Sequence, residues 1–131
     1  MPGSQPGKTL LDETLIVATS EFGRTPQMNP VQGRDHYRFA YSSMFVGGGV
    51  RGGRIIGKTD AIGAQCVDTG WKHKEQPQMD NIVATIYSAL GIDWMKTIEN
   101  TPSGRAYHYI ETAPIGGAEF ISGDEIAELF A

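Results

Sequence analysis

The sequence predicts an α/β fold, a mixed or parallel sheet with flanking helices, and three observations carry that expectation. The run Thr14-Leu15-Ile16-Val17-Ala18-Thr19 is short, almost continuously apolar and rich in branched residues, as in strands buried on both faces of a parallel sheet. A second such run, Met44-Phe45-Val46, is closed by Gly47-Gly48-Gly49. Farther on, Met79, Ile82, Val83, Ile86, Tyr87 and Leu90 recur at helical intervals, and Gly91 follows as a helix end.

The elements follow in order. Residues 1–10 hold two prolines and two glycines with little apolar pattern and are expected to be a flexible lead-in. The Thr14 run then stops at Ser20-Glu21-Phe22-Gly23-Arg24-Thr25-Pro26, which places polar groups just beyond the carboxyl end of a buried strand. Open α/β sheets bind their ligands at that position. Five glycines lie between Gly47 and Gly53, so turns and short strands are expected there, with Arg54-Ile55-Ile56 the best strand candidate. A short second helix is expected at the end of the chain. Ser122 and Glu125 would form its capping box and Ile121 and Ile126 its hydrophobic staple.

Composition narrows the function. With 40% hydrophobic and 20% charged residues the chain is globular in character, and no run reaches the ~18 apolar residues of a membrane span. The single Cys66 can form neither an internal disulfide nor a thiolate metal site by itself. Net charge is −4, which argues against general affinity for nucleic acid. The charge is uneven, however: residues 1–60 carry seven Lys and Arg against five Asp and Glu, while residues 61–131 carry four against ten. Arg24, Arg34, Arg38, Arg51 and Arg54 therefore form either a solvated surface or a local region that attracts anions.

Two nucleotide-binding patterns occur in the Gly-rich stretch. Gly47, Gly49 and Gly52 satisfy G-x-G-x-x-G, and Gly52, Gly57, Lys58 and Thr59 satisfy the P-loop pattern. Both need a helix whose first amides face the phosphates. Arg54-Ile55-Ile56-Gly57 looks extended, and Gly63 interrupts soon after Lys58. Glycines for tight turns, with Lys58 a surface charge, is the simpler account, and a P-loop nucleotide binder is the minor alternative.

The strings Leu15 to Pro26, Gly33-Arg34-Asp35-His36 and Gly47 to Gly53 resemble a bacterial family, with further matches at Gly57, Thr59-Asp60, Ala84 to Tyr87, Leu90 to Asp93 and Gly104-Arg105. It is the domain of unknown function numbered fifteen-oh-one, a sulfatase-like family placed in the alkaline phosphatase superfamily. The resemblance implies the carboxyl-terminal part of an alkaline phosphatase-like fold, covering residues 11–131. It also implies hydrolysis of phosphate or sulfate esters with divalent cations, zinc, calcium or manganese, and a nucleophile upstream of this chain. By that likeness Glu21 stands where a ligand Asp is usual, and Phe22 where a ligand His is usual. His36 becomes the best metal ligand, with Asp35 supplying an oxygen, and Phe22, which cannot bind a metal, leaves half a site.

The residues themselves point the same way in part. His36 is crowded by Arg34, Asp35 and Arg38 in a Gly-flanked loop expected beside the end of the Thr14 strand. Arg24 and Arg34 can hold an ester's anionic oxygens by bidentate contacts; the alternative for Glu21 is a loop carboxylate paired with Arg24. His73 and His108 read as structural or solvated. The expected function is thus the metal-binding part of a sulfatase- or phosphatase-like hydrolase, inert as an isolated chain, with a small phosphate or sulfate ester as partner. The alternative is a degenerate, non-catalytic member that binds a ligand or serves in assembly. Exposed sheet edges would favour self-association, and family likeness alone implies export.

Overall fold

A computed structural model describes residues 1–110 and 123–131. The chain divides into two compact units, Met1–Gln76 with Glu128–Ala131, and Pro77–Ala127. No described helix is long and apolar enough to cross a membrane.

In the first unit the strands pair as antiparallel ribbons. β1 (Leu15–Ala18) pairs with β4 (Met44–Gly47), with Leu15 opposite Gly47 and Ala18 opposite Met44. Nested inside that pair, β2 (Gly23–Arg24) faces β3 (His36–Tyr37), with Gly23 opposite Tyr37 and Arg24 opposite His36. β5 (Lys58–Thr59) and β6 (Cys66–Asp68) make a third ribbon with a bulge. Gly47 is the pivot at the end of β4: its φ is +75°, and a Cβ there would overlap the carbonyl oxygen of Thr14. Only glycine accepts both conditions.

The second unit is organised around α1 (Met79–Ala89), which agrees with the spacing of apolar residues from Met79 to Leu90. The Gln78 N–H donates to Asn81 Oδ1 at 2.7 Å to cap its start. Gly91, at φ +71°, ends it, with the Gly91 and Ile92 amides turned back to Ser88 and Tyr87 carbonyls. The buried face is not simply apolar: Ile82 and Ala84 are joined by Asn81 and Thr85. A further ribbon, β7 (Thr97–Ile98) with β8 (Tyr107–His108), completes the unit's described strands.

The expected α/β fold is not what forms. Among the described residues there is no parallel pair and no helix-flanked sheet of the alkaline phosphatase-like kind; four two-stranded antiparallel sheets and one α-helix stand in its place. A parallel return to the Thr14 run needs a crossover, usually helical, of a dozen or more residues. Residues 19–43 had the length for it, but Gly23, Pro26, Pro30 and Gly33 break any helix, and the segment turns back as the nested β2–β3 ribbon. The burial expected of β1 differs as well. Leu15 and Val17 are half-buried while Ile16 is 47% exposed, so one face is covered better than the other.

Smaller expectations divide. Arg54-Ile55-Ile56 is not a strand, and Ile55 is 93% exposed. Residues 1–13 close on themselves through a Pro2–Thr9 bridge and the Glu13 carboxylate, which accepts from the Ser4 and Gln5 amides at 2.7 and 3.0 Å. The chain's last described element is a 3₁₀ turn, Ala127–Leu129. The Ser122–Glu125 capping box and the Ile121–Ile126 staple involve positions outside the described residues. Neither nucleotide-binding pattern meets a helix: the glycines after β4 continue as turn and loop, and Lys58 and Thr59 lie in β5.

Candidate functional site

The nested ribbons explain where a site can form. Pairing of β1 with β4 ends at Ala18 and Met44, and pairing of β2 with β3 begins at Gly23 and Tyr37. Between the two ladders the strands part. Thr19 and Ser43 bridge the last rung with a hydroxyl–hydroxyl hydrogen bond of 2.6 Å. Beyond it lies a cavity of about 430 Å³ lined by Ser20, Glu21, Phe22, Gly23, Arg24, Tyr41 and Ser42. Gly23 lets the two strands close again, since a Cβ there would overlap the Ala40 carbonyl oxygen. The polar run after Ala18 thus does flank a cleft at the carboxyl end of β1, although the strand's neighbour is antiparallel.

Each lining group has a definite state. Ser20 Oγ donates to the Phe22 carbonyl at 2.9 Å, which spends its proton and leaves its lone pairs. Arg24 Nη1 donates to the Arg34 carbonyl at 3.1 Å, and its guanidinium stands 5.3 Å from the centre of the Phe22 ring. Held on one nitrogen, it keeps its other N–H groups for a ligand. Tyr41 is half-buried, and burial raises its phenol above the ordinary tyrosine value, so the group is neutral and protonated at physiological pH. Glu21 is exposed and lines the same cavity as Arg24.

The other expected site residues fall beside the cavity. His36, the cross-strand partner of Arg24, lies flat against Phe22 with ring centres 3.8 Å apart. Asp35 Oδ1 accepts from Asn29 Nδ2 at 2.9 Å, and the Asp35 N–H donates to Thr25 Oγ1 at 3.1 Å, so this residue helps close the 25–35 loop. Arg34 contributes its backbone carbonyl to Arg24, and its side chain is exposed.

The donor set expected for a metal does not assemble. Among the described residues no three of His, Cys, Asp and Glu come together as a metal centre. Glu21, Asp35 and His36 alone are therefore not a cage for a divalent cation, which takes more donors than this. Of the remaining histidines, the His108 Nδ1 is 3.2 Å from Thr97 Oγ1 across the β7–β8 ribbon, and His73 meets the Trp71 ring edge-on.

Tyr41 and Ser42 were not legible as site residues. They lie about twenty positions from Glu21, and only the nested pairing places them opposite it. The available signal was the pairing of small or polar residues across the gap, Thr19 with Ser43 and Gly23 with Ala40.

Residues 7–112 match the family described as a protein of unknown function, DUF1501. That span is most of the chain, and the chain belongs to this family. No curated protein matches it, and no solved structure does.

Proposed function

We propose that this chain supplies the anion-holding wall of a phosphate- or sulfate-ester site, the sulfatase-like role that the family resemblance implies. One observation carries the proposal: a cavity lined by Arg24 together with Ser20, Tyr41 and Ser42 at the point where two ribbons part. A guanidinium with unspent N–H groups binds tetrahedral oxyanions in a forked geometry that a lysine does not offer. The Glu21 carboxylate lines the same cavity, so a ligand with hydroxyl groups, or a cation, beside its anionic group suits it. The metal expectation narrows accordingly. Glu21 and His36 can contribute to a cation only together with donors from outside the described residues, and no chemical step is assigned through one. The chain as it stands binds without turnover.

A second reading, a non-catalytic binding member of the family, has one observation in its favour. Phe22, at the position where the resemblance expects a ligand histidine, instead covers a face of His36.

Calorimetric titration of the chain with sodium sulfate and sodium phosphate tests the first reading. The expected result is millimolar binding that Arg24→Gln weakens at least about tenfold, with no hydrolysis of an aryl phosphate or aryl sulfate. Binding unchanged in Arg24→Gln, or no binding at all, overturns it. Tight binding of zinc, manganese or calcium by the chain alone would show that the metal centre is complete after all.

A further inference from the structure

We propose that Tyr41 is a positioning residue for the cavity between the two ribbons, its phenol O–H donating to the anionic group that Arg24 holds; the assignment rests on the anion-holding reading above. Contrast with Tyr37, four residues earlier in the same segment, brings it out. Tyr37 spends its hydroxyl on the Ala64 carbonyl at 2.6 Å and is thereby part of the scaffold. Tyr41 lines the cavity and its hydroxyl has no hydrogen-bond partner among the described residues, although the side chain is half-buried. That hydroxyl still reaches solvent, so it can exchange water for a ligand oxygen without breaking a bond within the protein.

The other hydroxyls sort around it. The Ser20 hydroxyl donates to the Phe22 carbonyl, and Thr19 and Ser43 are joined to each other. Tyr41 and Ser42 therefore hold the hydroxyl donors still open in this cavity, and Tyr41 is the more enclosed of the two, being half-buried where Ser42 is exposed. Burial lifts the phenol's pKa, so it is a donor at neutral pH, where phosphate and sulfate esters are anionic. A neutral donor beside one guanidinium adds direction to anion binding without adding charge, which matters in a cavity that also contains Glu21.

The test follows the near-ultraviolet tyrosine band while sodium sulfate is added to the full chain, for the wild type and for Tyr41→Phe, Tyr37→Phe and Arg24→Gln. In the wild type, sulfate should shift the band, as hydrogen-bond donation by a phenol does. Tyr41→Phe should abolish that shift and weaken sulfate binding about tenfold, while Tyr37→Phe keeps both. Tyr41→Phe keeps the ring, and the wild-type spectrum provides a readout that needs no variant. If sulfate binds Tyr41→Phe as tightly as the wild type while Arg24→Gln loses it, the role of Tyr41 is overturned and the anion reading stands. If sulfate neither binds nor shifts the band in the wild type, both fall together.

Discussion

The two units bury themselves in different ways. Of the hydrophobic side chains that are buried among the described residues, Ile82, Ala84, Ile110 and Ile126 belong to the smaller unit, and Trp71 alone belongs to the larger. The smaller unit adds buried polar groups that are tied in: Asn81 Nδ2 donates to the Asp124 carbonyl at 2.9 Å, and Thr85 Oγ1 accepts the Ile126 N–H at 2.9 Å while donating to the Asn81 carbonyl at 2.6 Å. The larger unit relies on short ribbons, tight glycine turns and hydrogen bonds at its surface, and Ile16, Val31, Met44, Ile55, Ile62 and Val67 remain exposed on it. The chemically useful side chains sit on the loosely covered unit. A cleft needs strands that separate, and close packing would fill it.

The comparison can be broken by experiment. The largest effect is expected from Gly47→Ala, where a left-handed φ and overlap with the Thr14 and Leu11 carbonyls combine. About 4 kcal/mol of destabilisation should result, read as lost amide-exchange protection across β1 and β4 with α1 less affected. Equal loss of protection in α1 would show that the two units unfold as one.

Next in size, Asn81→Ala should cost about 2 kcal/mol in urea denaturation, because it takes away the hydrogen bonds that the buried Asn81 side chain makes with the Gln78 amide and the Asp124 carbonyl. A cost below about 1 kcal/mol would mean that the polar ties of the smaller unit matter no more than the surface bonds of the larger.

The smallest effect concerns acid. The Thr9 backbone N–H, and then its hydroxyl, hold the Asp12 carboxyl below its ordinary value, and the Ser4 backbone N–H does the same most strongly for Glu13. Groups with depressed folded-state pKa values stabilise the fold fully above their unfolded pKa and lose that contribution as pH falls from there through the folded-state pKa. Acidification below about pH 4 should therefore loosen residues 1–13 first, seen as early loss of the Gly3 and Ser4 amide signals. Retention of those signals after both carboxyls have titrated would sever the link.

How much was legible in advance depends on the length over which each signal acts. The helix over Met79–Ala89 was legible because its apolar spacing and the terminal glycine are local. Its buried face was not fully so: Asn81 and Thr85 look like solvent-facing residues until residues 124–126 arrive to accept and donate hydrogen bonds. The Thr14 run was correctly a strand, yet its composition could not distinguish a parallel neighbour from an antiparallel one. Glu21 and His36 were expected to converge where strands end. In the folded chain Phe22 stacks on His36, and Glu21 lines the cavity together with Arg24.

Local chemistry alone therefore established the helix and its stop, the positions of the first and fourth strands, the polar segment after Ala18 and the family to which the chain belongs. The antiparallel nesting, the cavity it opens and the difference between Tyr37 and Tyr41 came only from the folded chain. Side-chain spacing along a segment is a short-range property, whereas the partner that a strand or a hydroxyl finds depends on residues twenty or more positions away.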